Sequence, residues 1–336
     1  MDSIVNVTSM PTGKRQPTHP QLAITCIGAL KINCDGRPML AWPNQKAREL
    51  LAYLATCDNG QASRQAVQAA LWPSVTEQWA AQGLLRTALW QVRRRADRHD
   101  TPASPDTTRF AHSIIVNKGN LLLLNPQRCA SDYAELCTER DTLLRSELSA
   151  THADGDTIDS TAANAFAHRW LSIADACNHP ICAGETFTWL DALNGRQREW
   201  RLDALERSCR FAERANDPAL MAHVLECRLR SEPLHEPTLA ALMRMRLSQG
   251  QTAEVVAHYR AFRQALARHA DDLEGVAALA SAEIELLYQA ALSNTSCSPN
   301  TPSTGTALDH RKHQQQTALA VEMAASAHSP YARPPP

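Results

Sequence analysis

The chain has 336 residues, enough for two modest domains, and its 44% hydrophobic and 21% charged content is that of a soluble globular protein. Uninterrupted apolar runs such as Leu121–Leu124 are too short to span a bilayer. Met1–Thr18 carries no apolar signal-peptide segment, so a cytoplasmic protein is expected. Ten cysteines occur without a CxxC pair, which excludes a zinc ribbon or small disulfide scaffold and fits buried reduced thiols.

The formal net charge of -1 conceals a division. Residues 21–128 hold 13 Lys and Arg against 7 Asp and Glu, whereas residues 129–292 hold 16 against 25. A basic half joined to an acidic one suggests that only the first meets a polyanion. Chance segregation of solvated charge is the alternative.

Residues 1–20 contain Pro11, Gly13, Pro17 and Pro20 without an apolar period and read as a mobile tail. Leu22, Ile24 and Cys26 then alternate, as do Leu30, Ile32 and Cys34, and Asp35-Gly36 supplies a turn. The period next changes to that of a helix. Ala47, Leu50, Leu51 and Leu54 recur at i, i+3, i+4 and i+7. Ser63 is placed to cap a second, short helix through Val67 and Leu71, which Pro73 stops. A third helix is predicted from about Thr76 to Asp97, with Ala81, Leu85, Ala88, Leu89, Val92 and Ala96 facing the core. Beyond a polar loop, Ser113–Val116 and Leu121–Leu124 flank Asn117-Lys118-Gly119-Asn120, a hairpin signal.

From Ala162 the pattern is helical. Ala163, Phe166, Trp170, Ile173 and Cys177 form one stripe, and a long helix runs through Trp200, Leu205, Cys209 and Ala212 to Asp217-Pro218. Pro233–Leu266 spans 34 residues, the tetratricopeptide repeat length, with Gly250 at its turn. A last helix is expected over about Leu273–Leu292. Residues 293–336, biased to Ser, Thr, Pro and Gln, read as a disordered tail with a short helix near Thr317–Ala325 at most.

Catalytic signatures such as GxSxG, HExxH and GxGxxG do not occur. Thr12-Gly13-Lys14-Arg15 lacks the first glycine and the preceding strand of a phosphate-binding loop. His310 and His313 lie in a low-complexity tail, where solvated histidines are the ordinary reading. Asp271-Asp272 reads as helix-initiating charge rather than an acid/base couple. No enzyme, cofactor or metal site is expected.

Strands, three helices and a hairpin in this order make a winged helix-turn-helix with a small N-terminal sheet and a wing hairpin, followed by an all-α, tetratricopeptide-like domain. The fold class expected is therefore mainly α. Leu30-Lys31-Ile32, Asp35-Gly36-Arg37-Pro38, Lys46-Ala47-Arg48-Glu49-Leu50-Leu51-Ala52-Tyr53-Leu54, Ser63-Arg64, Leu71-Trp72-Pro73 and Leu85-Arg86-Thr87-Ala88-Leu89 with Val92-Arg93-Arg94 resemble the OmpR-type winged helix of SARP/AfsR-like regulators. Ser131-Asp132-Tyr133, Trp189, Arg196, Pro233-Leu234, Glu236, Leu242-Met243, Gly250, Ala253-Glu254, Tyr259 and Arg263 resemble the bacterial transcriptional activation domain that follows it. The resemblance covers residues 22 to about 292. Gly83, Trp90 and the longer Arg98–Arg109 loop depart from it.

The domains expected are thus a tail over 1–20, a DNA-binding winged helix over 21–128, an activation domain over 129–292 and a tail over 293–336. With the apolar stripe inward, the third helix turns Gln82, Arg86, Thr87, Trp90, Arg93 and Arg94 outward. Arg and Gln can pair bidentately with base edges in a major groove, and Arg93 and Arg94 would approach phosphates. The resemblance adds Lys118 and Asn120 of the wing. It implies duplex DNA as partner and RNA polymerase as the target of activation, with no membrane partner; head-to-tail pairing leaves a homodimer open. Two other readings stay open: a scaffold whose winged helix has lost DNA binding, and a ligand-sensing repressor. Trp90 suits contact with DNA or packing against protein equally.

Overall fold

The computed structural model describes residues 22–42, 44–96, 113–153, 158–269 and 280–296. By internal contacts the chain forms two compact units. Among the described residues, the first takes those from 22 to 146 together with 175–201, and the second takes those from 147 to 174 and from 202 to 296. The boundary expected at 128/129 therefore falls inside the first unit.

In the first unit β1 (Leu22–Thr25) pairs antiparallel with β2 (Lys31–Cys34), which pairs with β3 (Arg37–Pro38). Asp35 and Gly36 both adopt positive φ, 49° and 75°, as a two-residue type I′ connection requires. Ile24 lies opposite Ile32, and this face is buried with Leu22, Cys26 and Leu30. The other edge of β1 takes a strand the sequence did not advertise, β7 (Cys129–Ser131), in parallel.

Helix α1 (Gln45–Ala55) starts where the Asn44 side chain accepts the Lys46 N–H at 2.8 Å. Helix α2 (Arg64–Leu71) starts where Ser63 Oγ accepts the Ala66 N–H at 3.0 Å, as its sequence predicts. Helix α3 (Gln78–Ala96) buries all six residues of its predicted stripe. The wing consists of β5 (Ile115–Lys118) and β6 (Leu121–Leu124), with β4 (Gln61–Ser63) on the far side of β6. Lys118 stays in the ladder opposite Leu121, so the turn contracts to Gly119-Asn120 from the four residues expected; Gly119 takes φ 61°.

Helix α4 (Asp132–Ala153) is also absent from the sequence reading. Its apolar spacing is sparse: Tyr133, Leu136 and Leu143 are buried, with charged residues between them. The Asp132 carboxylate accepts backbone N–H groups from Cys26 at 2.7 Å, Ile27 at 3.0 Å and Tyr133 at 2.8 Å, joining the end of β1 to the start of α4. Residues 180–193 return to the same core. Ile181 bridges Ile27, Cys182 N–H donates to Cys26 O at 2.7 Å, and Phe187, Leu190 and Leu193 pack among the residues of α1–α3 and the wing. Trp189 Nε1 donates to buried Glu49, and its ring meets Tyr53 edge-on at 5.3 Å. The Cys26 thiol hydrogen-bonds the Cys182 thiol; that contact and burial push Cys26 far above the usual thiol range, leaving it protonated.

The second unit is helical: α5 (Ser160–Ala176) and α6 (Leu190–Ala215) contribute their portions to it, followed by α7 (Pro218–Ser231), α8 (Glu236–Ser248), α9 (Thr252–Arg268) and α10 (Ala282–Ser296). Asp217 caps α7 through the Ala219 and Leu220 N–H groups, with Pro218 at the first helical position. Trp170 is fully buried, and Arg207 lies 5.0 Å from its ring while pairing with Glu147 and Asp203. Gly250 makes the α8–α9 turn with φ 72°. Leu239, Met243, Val255, Phe262, Ile284 and Leu287 form the core of α8–α10, reinforced by stacked Tyr259 and Tyr288. This succession is the tetratricopeptide-like array expected, in which each helix pair covers the next.

Helix α10 extends past Leu292, where the tail was expected to begin. The start expected near Leu273 and Asp271-Asp272 lie outside the described residues. So do the Arg98–Arg109 loop, Thr12–Arg15, His310 and His313, the helix near 317–325 and both terminal tails up to 20 and from 297. No helix among the described residues is long and apolar enough to cross a membrane.

Candidate nucleic-acid interface

Helix α3 is held by its buried side, so the chemistry of its other side is set by rotation. At 100° per residue, Gln82, Arg86, Trp90 and Arg93 follow one another along the flank nearest α2 and the wing. The structure brings this flank together with α2 and the hairpin around an open cleft of about 1160 Å³. Gln82, Arg86, Trp90, Arg93 and Asn120 all line it.

Residues that the sequence reading did not nominate line it too: Arg64, Gln65 and Gln68 from α2, and Asn117 from β5. Arg64 and Gln68 stand one turn apart on α2, a pattern readable only once the Ser63 cap fixes where that helix begins. The polar side chains that line the cleft are arginines, amides and Thr76, without a single carboxylate, beside apolar residues such as Trp72, Val75 and Leu89. Such a wall attracts anions and offers hydrogen-bond donors to them.

The remaining nominees differ in placement. Thr87 lies on the outer flank, and its hydroxyl donates back to Gly83 O at 3.1 Å. The Arg94 guanidinium sits 4.9 Å from the Trp90 ring centre, a cation–π contact along one helix face. Lys118 is exposed at the end of β5 but outside the cleft wall. Arg93 is the main surprise. Its guanidinium donates to Ile115 O at 3.2 Å, so it fastens the wing to α3 instead of reaching freely outward. Neither rotation nor spacing signals that bond, because the acceptor is a backbone carbonyl of a strand that returns from later in the chain.

No group of three or more His, Cys, Asp or Glu suited to a metal occurs among the described residues.

Residues 148–287 match the family model described as bacterial transcriptional activator domain. Among solved structures, Mycobacterium tuberculosis EmbR in complex with low affinity phosphopeptide is similar in fold, with a TM-score of 0.51 at 16% identity. The superposition covers 91% of this chain and 70% of that one. No curated protein matches the sequence. The domain match and the shared fold support the resemblance to SARP/AfsR-like transcriptional regulators, and the fold class read from the sequence agrees with the shared fold.

Proposed function

We propose that this chain, a SARP-like transcriptional regulator with a bacterial transcriptional activator domain, binds duplex DNA sequence-specifically through α2, α3 and the wing. The observation that carries this reading is the carboxylate-free cleft, with Arg86 exposed on its α3 wall. A B-form major groove admits one α-helix, and Arg86 and Gln82 carry the side chains that pair with guanine and adenine edges. Arg64 and Lys118 supply phosphate contacts on either side. The helical unit then makes the protein contacts of activation, with RNA polymerase the target that resemblance implies.

A scaffold function is the second reading. It is favoured by two exposed indoles on α3, Trp79 at 75% and Trp90 at 56%, since exposed aromatic rings also mark protein-contact surfaces.

A mobility shift of the full chain on random-sequence duplex separates the two. Binding is expected at low salt, with affinity falling log-linearly as salt rises by about 0.9 per phosphate neutralised. Absence of a shift at low salt would remove the DNA reading and leave the scaffold.

A further inference from the structure

Trp79 opens the outward face of α3 and is 75% exposed, although nothing in the helix pattern asks for an aromatic there. Rotation places it between Arg86 and Trp90. The three side chains share a stripe about 40° wide, with Trp79 two turns before Arg86 and Trp90 one turn after it. Gly83 lies about 20° to the side of that stripe, next to the Trp90 edge, and a Cβ added there would meet nothing within 4 Å. The outward profile of α3 is therefore an indole, a bare stretch of backbone, a guanidinium and a second indole.

A glycine at that point weakens the helix, and the bare stretch lets its backbone approach a partner closely while the indoles project past it. Resting on the DNA-binding reading, we infer that Trp79 and Trp90 are apolar readers of the major groove. Each packs against thymine 5-methyl groups on either side of the base pair that Arg86 contacts.

Three observations favour DNA over a protein partner for these rings. The stripe runs beside a cleft whose polar lining is arginines, amides and one threonine, without a carboxylate, which fits a polyanion. Arg94 lies against the Trp90 ring, so one face of the indole carries positive charge while the ring stays 56% exposed. The spacing also suits the groove: the indoles stand about 16 Å apart along the helix axis, close to five base-pair steps. The thymine methyl is the apolar group that the major-groove edge presents to such a ring.

The test uses the full chain and a duplex selected by it from a random-sequence pool. Each thymine in that duplex is replaced in turn by deoxyuridine, which removes only the methyl. The wild-type chain is expected to lose about fourfold in affinity at a small number of positions, the loss corresponding to one buried methyl. Trp79→Ala should be indifferent to deoxyuridine on one side of the Arg86-dependent base pair, and Trp90→Ala on the other. Trp79→Phe should keep the sensitivity. Trp79 is outside the core, so its replacement leaves folding intact. Indifference of the wild type to every deoxyuridine, or undiminished sensitivity in both alanine variants, would overturn the inference while leaving DNA binding standing. Failure to select any duplex would instead bring down the DNA-binding reading, and this inference with it.

Discussion

A chain truncated after Arg128 is expected to lose the cooperative unfolding transition of its first unit, although residues 21–128 hold the complete winged-helix pattern. The core that closes over α1–α3 includes Tyr133, Ile181, Cys182, Phe187, Leu190 and Leu193, all absent from the truncated chain. The truncation also removes β7 from the edge of β1 and the Asp132 carboxylate from the Cys26 and Ile27 N–H groups. Large-to-small changes at single buried sites cost about 2–5 kcal/mol, and a domain's whole stability is about 5–15 kcal/mol, so losing six such residues is more than the unit can absorb. A milder version keeps the full chain: Phe187→Ala should cost about 3–5 kcal/mol. Urea unfolding followed by tryptophan fluorescence and circular dichroism reads both. A truncated chain that melts cooperatively near the midpoint of the intact protein would refute this description of the core.

Asp132→Ala is expected to destabilise the first unit by about 3–5 kcal/mol, since three backbone N–H groups lose one shared acceptor and each unpaired buried donor costs about 1–3 kcal/mol. The carboxylate is short, fixed by its place at the start of α4, and lies within 3.0 Å of all three donors. Asp132→Asn retains an acceptor oxygen and should recover part of the loss. Equilibrium denaturation of the three proteins decides it; a loss under about 1 kcal/mol for the alanine variant would mean that water replaces the carboxylate.

The sequence was legible where local chemistry and burial agree. The six-residue stripe of α3, the Ser63 cap, the Asp35-Gly36 turn and the Gly250 turn follow from period, capping and backbone freedom, and each sits where those rules put it. Helix α4 and strand β7 were not legible. They are held by distant partners, the edge of β1 and the β1–α4 carboxylate link, which leave little periodic trace in their own residues. Residues 180–193 escaped for the same reason: Ile181, Phe187 and Leu190 have no regular spacing until the fold brings them to α1.

The candidate site was legible in part. Core periodicity alone turns Arg86, Gln82 and Trp90 outward, so their place on the cleft wall needed no tertiary knowledge. The contribution of α2 required the two helices to be placed side by side. Trp79 lies on the same outward stripe by rotation, and its exposure shows that the indole stays outside the core. The Arg93 bond to β5 was not legible, because its acceptor is a backbone carbonyl with no signature in sequence.

The most direct measurement of the central claim is fluorescence anisotropy of a selected duplex and its single-base variants over a salt series. It compares the wild-type chain with Arg86→Ala and Lys118→Ala. Arg86→Ala is expected to lose about 1–3 kcal/mol on the preferred duplex and to relax preference at one base pair, as loss of a bidentate base contact does. Lys118→Ala should weaken every sequence alike and lower the salt slope by about one unit. Equal, sequence-independent losses for both variants, or none for either, would contradict base reading by α3.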